Sequence, residues 1–393
     1  MKNVIYLLSV LAITRCVFAA EPLFKAELIF PPQDKHVHGS SIVECPNGDL
    51  LAAWFYGSGE RSANDVLIQG ARKRNGEEQW GSVSVMADTP NLPDCNPTLF
   101  IDAKERLWLT WIVVQANRWE HSILKYRISE DYQETEVPKW SWQDILLLQP
   151  GEEFAQEMEK GFGEIEPPRD LWGEYALPYA ELLLTAARDP IKRQTGWMTR
   201  ITPITLSTGR IVLPLYSDGF NLSLAALSDD NGETWRASKP LVGLGNVQPS
   251  VVEKKDGSLV AYMRDNGAAP QRIIYATSED KGETWSVGRD TDLPNPGASV
   301  AAIALKDGRW VMAFNDTERG RHQMALGLSD DEGTTWKWQR HTDKAEPESD
   351  GSYAYPNLYQ GRDGLVHASY SFRSEKGASI KHVCFDADWI KGE

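Results

Sequence analysis

The 393-residue sequence has little cysteine and no excess of basic residues. It contains 41 Lys and Arg against 56 Asp and Glu, which gives a formal net charge of −15. Binding to nucleic acid depends on neutralising phosphates with Lys and Arg, so this balance argues against a nucleic-acid partner. An anionic ligand would need a local basic pocket within an otherwise acidic protein.

Only four cysteines are present, and one of them lies in the first twenty residues. The others are Cys45, Cys95 and Cys384, an odd number without the close spacing of a metal site. A disulfide between Cys45 and Cys95 and a pair of buried thiols both fit this pattern.

A long apolar run occurs only at the N-terminus, in MKNVIYLLSVLAITRCVFAA. It has a basic Lys2, an apolar core from Val4 to Ile13, and small residues at Ala19 and Ala20. This is the pattern of a secretory signal, and it is too short to anchor as a membrane helix. We therefore expect residues 1–20 to direct export to the periplasm or the medium, and no transmembrane segment elsewhere.

The remainder is rich enough in apolar residues, at 41%, to build a large core. It also contains 15 tryptophans, which is typical of proteins with many short strands and of proteins that bind carbohydrate. Length alone would allow two domains, but all-β folds of this size often form one.

An octapeptide recurs with almost constant spacing, as SDDNGETW from Ser228, SEDKGETW from Ser278 and SDDEGTTW from Ser329. A second element, a polar turn followed by an apolar run rich in β-formers, occurs six times. Its copies begin at Pro46, Asp102, Ser207, Lys255, Lys306 and Gly361. Units of this length made of strands and turns predict an all-β, six-bladed β-propeller with four antiparallel strands in each blade.

The stretch from about 148 to 199 contains neither element and is helix-prone. We expect a partly helical insertion in blade two or three. It could serve as a lid or a partner surface, or fill a groove between blades.

The octapeptide itself is expected to be structural. Its short polar side chains can accept hydrogen bonds from turn amides, and Gly232, Gly282 and Gly333 permit a positive φ. The tryptophan that ends each copy would cover one end of the hydrophobic layer of its blade.

These octapeptides resemble Asp-box, or bacterial neuraminidase, repeats, and the chain is similar to the sialidase-like propellers from about Lys35 to Val383. The resemblance implies one domain over residues 21–393. The scattered glycines form no phosphate loop after a strand, so we expect no cofactor. It also implies a site with three arginines on a substrate carboxylate, a tyrosine nucleophile helped by a glutamate, and an aspartic acid as proton donor. A tyrosine nucleophile departs from the carboxylate pair of most glycosidases.

Three positions match this pattern. Arg321 stands eight residues before the box residue Ser329, and Arg264 ends a strand element; both could bind a carboxylate with two parallel hydrogen bonds. Tyr355, with Tyr353 as its neighbouring candidate, corresponds to the nucleophile.

Other positions depart from the pattern. His38 stands where the first arginine would be, and it could act as an acid or base. Asp65 lies in the region of the proton donor, with Arg61 as a possible replacement cation. Gln248 stands where the helper glutamate would be, and a neutral amide cannot take the tyrosine proton.

Three functions remain open. The first is an exo-acting glycoside hydrolase that removes a terminal acidic sugar, either sialic-acid-like or uronic, from a glycan. The second is a polysaccharide lyase that eliminates at a uronic acid, and the third is a glycan-binding propeller without catalysis. In each case we expect a monomer with a carbohydrate ligand and no metal.

Overall fold

The computed structural model describes residues 21–165 and 177–392. The predicted export signal at residues 1–20 lies outside this part of the chain, so export stays a prediction from the sequence. Among the described residues, no helix combines the length and apolar composition of a membrane span.

Six antiparallel sheets follow one another along the chain, which confirms the six-bladed propeller. The first strand, β1 (Phe24–Leu28), belongs to the last blade. The strands of blade 1 are β2 (His36–Glu44), β3 (Leu50–Gly57), β4 (Leu67–Lys73) and β5 (Ser84–Ala87). The strands of blade 2 are β6 (Asp94–Ile101), β7 (Leu107–Val114), β8 (Ser122–Ser129) and β9 (Trp142–Ile145).

Helices connect blade 2 to blade 3, within the segment predicted to be inserted. They are α1 (Glu153–Gly163), α2 (Leu177–Arg188) and α3 (Pro190–Arg193). Phe154 of α1 is buried and packs edge-on against Trp197 and Phe220, with ring centroids 5.9 and 5.3 Å away. The first helix is thus joined to blade 3 by an aromatic cluster.

The remaining blades repeat the same order of strands. Blade 3 consists of β10 (Met198–Thr199), β11 (Ile204–Thr205), β12 (Ile211–Ser217), β13 (Leu222–Ser228) and β14 (Arg236–Ala237). Blade 4 consists of β15 (Asn246–Glu253), β16 (Leu259–Asp265), β17 (Arg272–Ser278) and β18 (Arg289–Pro294). In blade 3 the innermost strand is interrupted, so β10 and β11 pair separately with β12.

The last two blades complete the ring. Blade 5 consists of β19 (Ala301–Ala304), β20 (Trp310–Phe314), β21 (Gln323–Ser329) and β22 (Trp338–Lys344). Blade 6 consists of β23 (Gly351–Gln360), β24 (Val366–Ser374) and β25 (Gly377–Phe385), with β1 as its outermost strand. Because β1 comes from the other end of the chain, its pairing with β25 closes the ring.

The six polar turns join the first two strands of each blade and need a left-handed residue. Glycine supplies it in five blades, for example Gly257 with φ 83° and Gly364 with φ 90°. Glu105 takes the same place in blade 2 with φ 58°. The turn therefore has the same backbone conformation in all six blades, although the copy in blade 2 has no glycine.

The octapeptides form the turns between the third and fourth strands. Asp230 accepts hydrogen bonds from the Thr234 backbone N–H (2.9 Å) and from the Ser228 hydroxyl (2.8 Å). Gly232 has φ 88° and lies against Trp108 of the preceding blade. The predicted turn role is confirmed, and each polar loop contributes to packing between blades.

Hydrogen bonds between neighbouring innermost strands fix the central axis. The Ser41 hydroxyl accepts from the backbone N–H of Leu99, and the Ser250 hydroxyl accepts from that of Ala302, both at 2.9 Å. Asn357 accepts from the Ile42 N–H at 3.0 Å and so links blade 6 to blade 1.

The three cysteines in the described part of the chain are free thiols. Cys45 and Cys95 are fully buried and form no disulfide, so the prediction of buried thiols is confirmed and that of a disulfide is wrong. Burial raises the pKa of the Cys45 thiol to about 11, which keeps it protonated at neutral pH.

Candidate functional site

The candidate site lies at the face where the innermost strands begin, which we call the upper face. The polar turns and the octapeptides lie at the opposite face, because strands one and three both run towards it. Innermost strands of several blades contain a β-bulge close to the upper face, for example between Val247 and Ser250 and between Ala354 and Asn357. Bulges change the direction in which a side chain points, and they are frequent beside active sites.

One residue of each blade stands nine positions before the left-handed turn residue. In blades 1, 2, 4 and 6 it lies at such a bulge with a positive φ, and in blades 3 and 5 it lies just outside the short innermost strand. Gln248 precedes the turn residue Gly257 by nine residues, and Tyr355 precedes Gly364 by the same number. Both have a positive φ of 58°. We call the six residues at this position the axial ring: Gly39, Asn96, Arg200, Gln248, Ser299 and Tyr355.

The hydroxyl group of Tyr355 receives two hydrogen bonds. Gln248 Nε2 and Arg264 Nη1 each lie 3.2 Å from it. Arg264 reaches it from the upper end of β16, the second strand of blade 4. A phenol oxygen in contact with a guanidinium and an amide N–H is in a setting that stabilises negative charge on the oxygen.

The ring of Tyr355 lies among other predicted site residues. The His38 ring is 4.1 Å away between centroids, and the guanidinium carbon of Arg321 lies 5.4 Å from the ring centroid. Arg200, which the sequence analysis did not single out, lies 4.8 Å from the same centroid. Four of the predicted residues, His38, Gln248, Arg264 and Arg321, therefore surround the fifth, Tyr355.

The three arginines have no carboxylate partner among the described residues. Arg321 donates to the Gly297 carbonyl at 2.9 Å, and Arg264 donates to the Asn266 side-chain oxygen at 3.0 Å. Arg200 donates only to backbone carbonyls. Arg264 and Arg321 are half-buried at the upper face, so this acidic protein has a local basic site there.

The burial of His38 determines its charge. Its side chain is 7% exposed, and burial is the main cause that lowers its pKa well below the usual value, followed by the charges of Arg321 and other nearby groups. His38 is therefore neutral at pH 7, and an imidazole nitrogen in this state can accept a proton.

Two predicted residues of the loop between β3 and β4 lie apart from Tyr355. Asp65 is exposed and binds Lys35 Nζ at 2.8 Å and the Ser58 hydroxyl at 2.7 Å. These hydrogen bonds, with Lys35 first, lower the pKa of its carboxyl group. Arg61 is exposed and packs over the Trp119 ring, 5.4 Å from its centroid.

A second carboxylate in this loop, Glu60, lies closer to the site. Its Oε1 atom is 3.2 Å from His36 Nε2, and the His36 ring is 5.4 Å from that of His38. Burial acts to raise the pKa of Glu60, but the contact with His36 and the charges of His36, Arg321 and Arg61 lower it overall. Glu60 was not predicted from the sequence, because the loop residues that precede β4 have no counterpart in the other repeats.

A family model for the BNR repeat-like domain matches residues 48–159 and 191–368. The chain belongs to the BNR repeat-like family. The unmatched residues between these ranges include most of the helical insertion, and the matched ranges contain five of the six axial-ring positions of this BNR repeat-like propeller.

Two curated relatives are sialidases by name. The anhydrosialidase of Macrobdella decora is 27% identical over 202 residues, which are 45% of this chain and 25% of that protein. The sialidase of Bacteroides fragilis (strain YCH46) is 28% identical over 200 residues, 48% of this chain and 35% of that protein. The BNR repeat-like chain thus spans only about a quarter to a third of these relatives.

Solved structures agree in fold. The leech intramolecular trans-sialidase complexed with 2,7-anhydro-Neu5Ac superposes with a TM-score of 0.68 at 16% identity, covering 94% of this chain and 71% of that one. A protein of unknown function from Dyadobacter fermentans DSM 18053 superposes with a TM-score of 0.66, also at 16% identity, covering 92% and 99%. At such identities the superpositions establish the propeller of this BNR repeat-like protein and nothing about its substrate.

Sequence reasoning missed Arg200 although the repeat contained the signal. Arg200 precedes Gly209 by nine residues, the same spacing that places Gln248 and Tyr355. Counting back from every polar turn would have found the whole axial ring of this BNR repeat-like chain. Among the residues that the structure describes, no group of three or more His, Cys, Asp or Glu is arranged to hold a metal.

Proposed function

We propose that this protein is an exo-acting glycoside hydrolase that removes a terminal acidic sugar from a glycan, with Tyr355 as its nucleophile. The observation that carries the proposal is the placement of the Tyr355 hydroxyl, 3.2 Å from both Arg264 and Gln248 at the upper face. The names of the curated relatives, an anhydrosialidase and a sialidase, support the same substrate class.

The proposed reaction uses the Tyr355 hydroxyl as the nucleophile, because Gln248 and Arg264 both donate hydrogen bonds to its oxygen. Tyr355 Oη would attack the anomeric carbon as its phenol proton passes to the neutral imidazole of His38, and the bond to the leaving-group oxygen would break as that oxygen takes a proton from a carboxyl group of the loop between β3 and β4. Water would then attack the anomeric carbon and give its proton to the loop carboxylate, while the glycosidic bond to Tyr355 breaks and the phenolate regains its proton from His38.

We assign the proton donor to Asp65 or Glu60, which would take up its proton when the bound sugar replaces the contact with Lys35 or His36 that lowers its pKa. His38 would be the neutral base beside the ring.

The acidic class of the sugar follows from charge. Arg264 and Arg321 are half-buried and make hydrogen bonds to neutral groups, so their positive charges are available to an incoming carboxylate. Arg61 is a further cation in the neighbouring loop. An arginine can hold a carboxylate with two parallel hydrogen bonds, which also fixes the orientation of the sugar.

The test is a screen of the purified full chain against sialosides and uronate-capped oligosaccharides, read by mass spectrometry. Tyr355→Phe should abolish sugar release, because it removes the attacking oxygen and keeps the ring. Tyr353→Phe is the matched control, since this buried tyrosine lies on the same strand and packs against Phe372. Sugar release that survives Tyr355→Phe would refute the assignment.

Elimination at a uronic acid is a second candidate, favoured by the amide at Gln248 and the neutral imidazole of His38, 4.1 Å from the Tyr355 ring. A cation on the carboxylate acidifies the neighbouring C–H bond, and Tyr355 or His38 would take that proton. The lyase product absorbs in the ultraviolet and lacks the added water, so the same mass spectra separate the two reactions. Binding of a glycan without any product would support the non-catalytic alternative.

A further inference from the structure

Arg200 lies beneath the Tyr355 ring at the centre of the propeller. Its side chain is 1% exposed, so it cannot touch a substrate that enters from solvent. Its Nη2 atom donates to the backbone carbonyls of Tyr355 and Pro356, and its Nη1 atom donates to the Ser40 carbonyl at 3.3 Å. One guanidinium of blade 3 thus joins the innermost strands of blades 6 and 1.

A buried arginine usually has a carboxylate partner, because desolvation of an unpaired cation is costly. Arg200 has none among the described residues, and its Nε atom is buried without a hydrogen bond there. Burial lowers its pKa to about 10, which still leaves it charged at neutral pH. The protein therefore buries a charged guanidinium at a cost in desolvation free energy. All its hydrogen bonds go to backbone carbonyls, which lie at Tyr355, at Pro356 and two residues after His38.

The backbone of Tyr355 needs such support. A tyrosine at φ 58° is in a left-handed conformation that residues with a side chain rarely adopt, and it persists only where surrounding contacts hold it. Arg200 binds the carbonyl of Tyr355 itself and that of the following proline. It also covers one side of the ring, 4.8 Å from the centroid, which limits the orientations of the ring.

We propose that Arg200 is the positioning residue of Tyr355: it holds the bulge and the ring so that the hydroxyl stays between Gln248 and Arg264. The kinetic consequence rests on the function proposed above, whereas the effect on the geometry of Tyr355 does not. Because Arg200 is shielded from solvent, its removal should change kcat and leave KM almost unchanged.

The kinetic experiment compares Arg200→Met and Arg200→Lys in the full chain. Misplacing a reacting atom by about 1 Å costs about 100-fold in rate, so Arg200→Met should lower kcat by about that factor. Lysine keeps the charge and one donor group, and should restore part of the loss. Arg193→Met is the matched control, since Arg193 is also buried and donates to backbone carbonyls, at Pro150 and Arg188, away from Tyr355.

The second experiment needs no activity. 3-Fluorotyrosine is placed at position 355, and its ¹⁹F NMR signal is recorded in the wild type and in each variant. We expect one sharp resonance in the wild type and in Arg193→Met, and a shifted or exchange-broadened one in Arg200→Met. An unchanged resonance together with an unchanged kcat in Arg200→Met would overturn the proposal. A changed resonance in a protein that releases no sugar would instead uphold the positioning role and refute only the proposed hydrolase.

Discussion

The side-chain amide of Gln248 lies between two tyrosines from different blades, with Nε2 3.2 Å from the Tyr355 hydroxyl and 3.3 Å from the Tyr216 hydroxyl. Tyr216, on the second strand of blade 3, also accepts from Asn96 Nδ2 at 3.1 Å. Burial raises the pKa of Tyr216 well above its usual value, so it stays a neutral phenol. Gln248 therefore connects Tyr355 to the buried phenol of Tyr216 and, through it, to Asn96.

This arrangement predicts that Gln248→Glu increases activity. A carboxylate in the same place would lie beside the Tyr355 hydroxyl and could take its proton, and general bases contribute large rate factors. We expect kcat at pH 7 to rise by about tenfold. This is less than the factor of about 100 to 10,000 that general bases contribute, because the neighbouring hydrogen-bond donors stabilise the carboxylate and make it a weaker base.

The control for this experiment is Gln248→Met, which removes the amide and adds no base. It should lower kcat, since both tyrosines lose a hydrogen-bond donor. Steady-state values of kcat for Gln248→Glu and Gln248→Met on the same glycan test whether a base at position 248 increases the rate. If glutamate and methionine lower kcat equally, the amide is needed as a donor and the phenol is not limited by deprotonation.

Arg321 should contribute to binding through the charge of the substrate. Loss of a charge-assisted hydrogen bond weakens binding by about 10- to 100-fold, so Arg321→Met should raise KM by that factor for a glycan that ends in a carboxylate. An analogue whose carboxylate is converted to an amide should bind the variant and the wild type equally.

Arg319→Met is the control for that measurement. Arg319 is exposed on the same loop, two residues away, so its removal changes the net charge by the same amount. An equal rise in KM for Arg319→Met would mean that Arg321 acts only through general electrostatic attraction. Titrations at two salt concentrations would show the same distinction, since salt screens exposed charges most.

The fold could be predicted from the sequence because each blade repeats its turn chemistry. Gly257 and Gly364 mark the same hairpin in two blades, and the octapeptides mark the turn at the same face. The site was only partly predictable. Tyr355, Gln248, Arg264 and Arg321 lie at repeat positions, so counting from the turns finds them.

What could not be predicted lies in segments without a counterpart in the other blades. The loop between β3 and β4 offers Asp65 and Glu60 as carboxylates, and only the folded chain shows that Lys35 binds the former and His36 contacts the latter. Closure of the ring by β1 was also missed, because a single edge strand near the N-terminus carries no repeat signal.

The octapeptides should affect stability and leave catalysis unchanged. Asp230→Ala removes the acceptor of the Thr234 N–H and of the Ser228 hydroxyl, which should lower the free energy of unfolding by about 1 kcal/mol. Glu233→Ala, in the same octapeptide, removes ion pairs of an exposed carboxylate with Lys104 and, at 3.6 Å, with Arg106, and should cost less than about 0.5 kcal/mol. Urea unfolding measures both, and a loss of kcat in stable Asp230→Ala protein would contradict the structural role.

A chain of buried and partly buried polar side chains supports the closing strand β1. Glu27 accepts from Lys73 Nζ at 2.6 Å, and its Oε1 atom lies 2.9 Å from His382 Nδ1. His382 Nε2 lies 3.0 Å from His367 Nδ1 on the neighbouring strand. The chain therefore connects the first strand of the protein to both blade 6 and blade 1.

Acid should weaken this closure. Burial, and then the charge of His382, lower the pKa of His367 from 6.5 to about 4, so the unfolded chain binds a proton that the folded chain excludes. This contribution to stability is present above pH 6.5 and is lost as the pH falls to about 4, an effect of about 3 kcal/mol.

Urea unfolding at a series of pH values tests this coupling. His367→Gln should flatten the dependence of the free energy of unfolding on pH between pH 4 and 6.5. His121→Gln, which changes an exposed histidine, should leave the slope as in the wild type. Equal slopes for His367→Gln and the wild type would show that His367 does not couple ring closure to pH.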